Sequence, residues 1–110
     1  MRVIWSPFAE GEVQKAIDYY EQQRGGLGSG FLGAVRHTVQ GISEWPLAGR
    51  PVAAGFRGRI VGRFPYWLIY TQVGSAIWVA SAAHQSRIPG YWRSHWEIQE
   101  PTTDYWPLVA

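Results

Sequence analysis

At 110 residues the chain is long enough for one domain with a real core, in which about two-thirds of the unfolded surface can be buried. Its 46% hydrophobic and 16% charged residues exclude a disordered chain, and seven Trp with six Tyr supply large contact area. The absence of cysteine excludes a disulfide framework and a thiolate metal site.

The start, Met1 to Pro7, is too short an apolar run for a signal peptide, and no stretch approaches about 18 apolar residues. A soluble cytoplasmic protein with no membrane partner is expected. The net charge of +2 hides a strong segregation. No carboxylate stands between Glu44 and Glu97, whereas Arg50, Arg57, Arg59, Arg63, Arg87 and Arg93 all fall in that interval. A uniformly positive middle favours an anionic partner, either nucleic acid or an acidic protein segment.

Arg2 to Trp5 is a short β-prone run, and Ser6-Pro7 marks a helix start with Ser6 as N-cap. Ala9, Val13, Ala16, Ile17 and Tyr20 then recur at helical spacing, with Glu10, Glu12, Lys15, Asp18 and Glu21 on the other faces. Gly25-Gly26 ends this first helix. Leu27 to Glu44 repeats the pattern through Phe31, Val35, Val39 and Ile42, so a second helix should pack antiparallel on the first. Gly33 and Gly41 each cost that helix about 1 kcal/mol relative to Ala, which points either to sites of close backbone approach or to a helix that is marginal without its neighbours. His37 falls on its polar face as a solvated residue.

Pro46 to Gly55, with its prolines and glycines, reads as a loop. In Phe56 to Phe64, period-two alternation places Phe56, Gly58, Ile60, Gly62 and Phe64 on one face and Arg57, Arg59, Val61 and Arg63 on the other. Tyr66 to Gln72 is apolar on both faces and therefore central, and Gly74-Ser75 is a hairpin turn. Ala76 to Ala83 comes next as a buried strand, delivering His84 and Arg87, and beyond Pro89-Gly90 Tyr91 and Trp92, to a sheet edge. The expected class is α+β: a strand, a two-helix antiparallel hairpin, then a three-stranded antiparallel sheet, with the helices on one face and the other left for function.

Several motifs fail. Gly26, Gly28 and Gly30 are wrongly spaced and placed for a dinucleotide loop. His37, His84 and His95 have no metal-ligand spacing, and no serine sits in a nucleophile elbow, so neither metal nor cofactor is expected. What remains is Arg59, Arg63, His84, Arg87 and Tyr91. For RNA cleavage the arginines would stabilise a phosphorane-like transition state, and His84 or Tyr91 would handle the protons. For docking, Arg87 would pair with a partner's acidic side chain.

The residues also carry a family resemblance. Trp5-Ser6-Pro7, Ala16 to Glu21, Gly28 with Phe31-Leu32, Trp45-Pro46 and Gly49-Arg50-Pro51 cover the first half. Arg59, Phe64-Pro65-Tyr66, Ile69-Tyr70, Ala83-His84, Arg87 and Pro89-Gly90-Tyr91-Trp92 cover the second. In order and spacing the chain resembles the RelE/ParE superfamily of type II toxin-antitoxin toxins, closer to the ParE branch, over about Val3 to Trp92. The resemblance implies a toxin domain over 1–92; the 93–110 tail lies outside it and has no assigned role, with folding back onto the basic face, extension as an arm and self-association all left open. It implies a cognate antitoxin as partner, and DNA gyrase as target if ParE-like. The alternatives are the ribosome and its mRNA, cut by an endoribonuclease, if RelE-like, or a degenerate binding module without toxicity. Two departures speak against the nuclease. Val52-Ala53-Ala54-Gly55 is neutral where RelE-type enzymes are lysine-rich, and Gln85-Ser86 separates His84 from Arg87. Arg57, Arg59, Arg63, His84, Arg87, Tyr91 and Trp92 are then the expected antitoxin- and target-binding residues, with assembly as a homodimer or as a heterotetramer with antitoxin left open.

Overall fold

A computed structural model of the chain describes residues 1–87 and 89–93. The elements are β1 (Arg2–Trp5), α1 (Pro7–Gln23), α2 (Leu27–Glu44), β2 (Arg50–Ala53), β3 (Phe56–Ile60), β4 (Tyr66–Val73) and β5 (Ala76–His84). They form one five-stranded sheet of order β1-β5-β4-β3-β2, antiparallel except for the β1–β5 pair, with the helical hairpin on one face. β4 is the middle strand, as its two apolar faces predict.

Local chemistry explains the helix ends. The Ser6 side chain accepts from the Ala9 amide at 3.0 Å and Pro7 opens α1, where a missing N–H costs nothing. Gly26, at φ 89°, starts α2 in the left-handed region. The helices approach closely at Gly28, where an added Cβ would stand 2.8 Å from the Ile17 carbonyl oxygen. The expectation for Gly33 is corrected: nothing lies within 4 Å of its Cβ position. At Gly41 the close neighbour is the Arg59 guanidinium, not backbone.

The core lies between the hairpin and the sheet. Phe31, Val35 and Ile42 of α2 and Ala9, Val13 and Ala16 of α1 pack on Leu68, Tyr70, Ile77 and Val79. Tyr20, Phe31, Phe64 and Tyr66 close one end of it as an aromatic box, with ring centroids 5.0–6.2 Å apart. All but the tilted Tyr20–Phe31 pair are edge-to-face, and such pairs add about 0.5–1.5 kcal/mol each beyond their buried area.

Three further expectations are corrected. The segment read as a loop contains β2, an edge strand paired to β3 through Arg50–Gly58 and Pro51–Arg57. Proline is tolerated there because an edge strand leaves one row of amides unpaired. The strand expected to reach Phe64 stops at Ile60, and Gly62, at φ 53°, turns the chain so that Arg63 leaves the row of Arg57 and Arg59. Most consequentially, the arginine face is the helix side. Arg57 pairs with Tyr70 and Arg59 with Leu68, both core residues under the helices. The opposite face, expected to be left for function, is apolar: Phe56, Ile69, Ala80 and Trp92 form one cluster there, and Ile4 with Trp78 another.

Candidate functional site

The C-terminal half of β5 has an edge that β1 is too short to cover. β1 pairs only with Ala76 to Val79. Beyond that point α1 supplies the partners: the Ser6 amide donates to the Val79 carbonyl and its hydroxyl to the Ala80 carbonyl, both at 3.0 Å. Next, Glu12 Oε1 accepts from the Ala82 amide at 2.8 Å and from the Ser81 hydroxyl at 2.7 Å. The Tyr91 hydroxyl donates to Glu12 Oε2, and the Arg87 guanidinium lies 3.9 Å over the centre of the Tyr91 ring. One half-buried carboxylate thus ties helix, strand and C-terminal turn together.

Burial raises the Glu12 carboxyl above the usual carboxylate range, against the opposing pull of Tyr91, Ser81, the Ala82 amide and the Arg87 charge. Burial, then the hydrogen bond to Glu12, pushes the Tyr91 phenol upward as well. A phenol so held keeps its proton and is a poor general base. Glu12 escapes sequence reasoning because its donors come from residues some seventy positions away. The available signal is its place beside the Ala9–Ala16 stripe, four residues after Phe8.

The other expected site residues disperse. His84 Nδ1 accepts from the Ser86 amide at 3.0 Å, and its ring centroid lies 5.1 Å from that of Tyr66 in an edge-to-face contact. Arg57 Nη1 donates to the Gly49 carbonyl at 2.9 Å. Arg59 lies against α2 at Gly41. Arg63 is exposed on the turn before β4, its guanidinium 5.6 Å from the Phe64 ring. Trp92 is 4% exposed, with its ring 4.8 Å from that of Phe56. The structure therefore brings Arg87 and Tyr91 together, sets Arg63 and His84 at the same end of the sheet through the Gln85 amide to Pro65 carbonyl bond, and holds Arg57 and Arg59 apart on the helix side.

A second feature was not legible in sequence. Between α1, α2 and β1 runs a groove of about 830 Å³ floored by Trp5, Val13, Ile17, Leu32, Val35 and Val39. β1 borders it as an edge strand of the sheet. An apolar trough beside a strand edge suits an amphipathic helix or an added strand. Among the described residues no helix is long and apolar enough to cross a membrane, and no three His, Asp or Glu converge as a metal site.

Comparison with known proteins adds the decisive finding. Residues 3–89 match the family described as ParE toxin of type II toxin-antitoxin system, parDE. The chain belongs to the ParE toxin family. Its fold is shared by a chain of the chromosomal ParDE toxin-antitoxin system from P. aeruginosa, with a TM-score of 0.68 and 16% identity over 76% of this chain and 95% of that one. No curated protein sequence gives a significant match. As a ParE-family member the chain is the toxin type of a type II toxin-antitoxin pair.

Proposed function

We propose that this ParE-family toxin acts in the cytoplasm by docking on DNA gyrase and blocking it, and that a cognate antitoxin neutralises it. The observation that carries this reading is the dispersal of the five candidate nuclease groups. The Tyr91 hydroxyl keeps its proton and is engaged as a hydrogen-bond donor to Glu12, and Arg59 packs under α2, which leaves Arg63, His84 and Arg87 as the uncommitted groups at one end of the sheet. Rapid RNA cleavage needs acid, base and cations around one phosphate. Docking needs only an exposed basic end, and Arg63 and Arg87 are both exposed.

The groove between the helices and β1 is the antitoxin's seat in this reading, because its apolar floor fits the hydrophobic face of a partner segment. A purified supercoiling assay run beside a translation-coupled cleavage assay tests the target. Inhibition of supercoiling with messenger RNA left intact is expected, whereas cleavage on translating ribosomes without any effect on gyrase would overturn the proposal. Leu32→Arg, placed in the groove, should weaken antitoxin binding at least about tenfold by titration calorimetry, roughly 1.4 kcal/mol, with gyrase inhibition retained.

A further inference from the structure

Arg87 is exposed, yet its side chain is held in one place. The guanidinium carbon lies 3.9 Å from the centre of the Tyr91 ring, well within the range of a cation–π contact. That ring is braced in turn. Its hydroxyl donates to Glu12 Oε2 and stands 3.3 Å from the Ser81 hydroxyl, and Phe8 of α1 meets it edge-on with centroids 6.2 Å apart. The turn that carries Arg87 is closed at its base, where the Arg87 amide donates to the His84 carbonyl and the Ser86 amide to His84 Nδ1, both at 3.0 Å. An arginine stacked through one face keeps the N–H donors along its edge for another partner.

Those donors have no taker within the domain. Among the described residues the Arg87 side chain makes no hydrogen bond and no ion pair, although Glu12 is near enough for the two charges to feel one another. Glu12 is already engaged by uncharged donors, Oε1 by Ser81 and the Ala82 amide and Oε2 by Tyr91. The phenol therefore satisfies the carboxylate that would otherwise take the arginine, and it presents the arginine on its ring. One fixed guanidinium with a free edge matches one planar carboxylate, bonded through two parallel N–H groups. A DNA backbone instead calls for a row of cations, and the row of Arg57 and Arg59 is turned under the helices.

We infer that Glu12 and Tyr91 are positioning residues that hold Arg87 ready for an acidic side chain of the target protein. The target rests on the docking reading above, whereas the positioning is a property of the free chain and is tested there first. In the isotope-enriched full-length protein the Arg87 Nε–Hε resonance should lie upfield of that of the exposed Arg36, with nuclear Overhauser contacts between the Tyr91 ring and the Arg87 δ-methylene. Glu12→Ala should weaken those contacts, and their absence from the native chain would overturn the inference without any variant. Calorimetric titration of DNA-free gyrase then reads the docking. Arg87→Ala and Tyr91→Leu should each weaken binding at least about tenfold, and the two together no more than Arg87→Ala alone, because both remove one contact. Arg87→Lys, which keeps the charge without the fork, should stay within about threefold of Arg87→Ala. Losses that multiply, full recovery in Arg87→Lys, or binding that requires DNA would each overturn the inference. No binding by the native chain would remove the docking reading and the acidic partner with it, and the resonance of the free chain would still decide the positioning.

Discussion

Glu12 caps the stretch of the β5 edge that β1 leaves unpaired. Its carboxyl is raised above its ordinary value of 4.5, chiefly by burial, and this sets the sign of the pH effect. Between the unfolded value and the raised folded one, the folded chain holds the additional proton, so the Glu12 contribution to stability falls as pH rises through that window and levels off above it. Denaturant midpoints measured against pH should therefore show the native chain losing stability relative to Glu12→Gln as pH climbs from about 4.5, and a constant difference would contradict the assignment. Tyr91→Phe removes a hydrogen bond to a charged acceptor and should cost about 1.5–3 kcal/mol at neutral pH, read from the same midpoints. At this scale the sequence was uneven. Ser6 and Pro7 declare their roles because an N-cap is a local device. Glu12 does not, because nothing near it in sequence names Ala82 or Tyr91 as its donors.

Helix boundaries were legible for the same local reason: α1 and α2 run from cap to cap over the residues that Pro7, Gly25-Gly26 and Trp45-Pro46 delimit. β2 was hidden, since an edge strand needs neither alternation nor a proline-free run. The face of the Arg57 and Arg59 row was hidden too, because period-two alternation says which residues share a face but not which face the helices cover. Glycine spacing in α2 likewise showed where side chains are absent, not what approaches them. Here two substitutions of one kind should differ in sign. Gly28→Ala places a methyl against the backbone of α1 and should destabilise by about 1–3 kcal/mol, whereas Gly33→Ala meets open space and should stabilise by up to about 1 kcal/mol through helix propensity. Thermal unfolding of both variants distinguishes a hairpin tightened at Gly28 from one that is loosely packed throughout.

For the whole molecule, charge and apolar surface divide the labour. The exposed cations Arg63 and Arg87 lie toward one end of the sheet, and the groove lies between the helices and the far edge strand. If target and antitoxin use these separate surfaces, Arg63→Ala with Arg87→Ala should weaken gyrase inhibition and its salt sensitivity while leaving antitoxin affinity within about twofold. Surface competition between gyrase and antitoxin for the arginines would instead weaken both. The family was legible in the order of short motifs along some ninety residues. The arrangement of the site was not, because it depends on the turn at Gly62 and on which side the hairpin packs.

The edge that α1 completes for β5 also sets a timetable. Ser6 and Glu12 find their partners only at Val79 to Ala82 and at Tyr91, so these contacts cannot form on the ribosome until nearly the whole domain has emerged. At about 5–20 residues per second, the interval between making residue 7 and residue 84 is about 4–15 s. During that interval the helical hairpin, whose contacts are local, can form, but the sheet cannot be closed. A nascent chain is thus without the completed β5 edge, and without the basic end that Arg87 and the Tyr91 turn complete, until synthesis is almost finished.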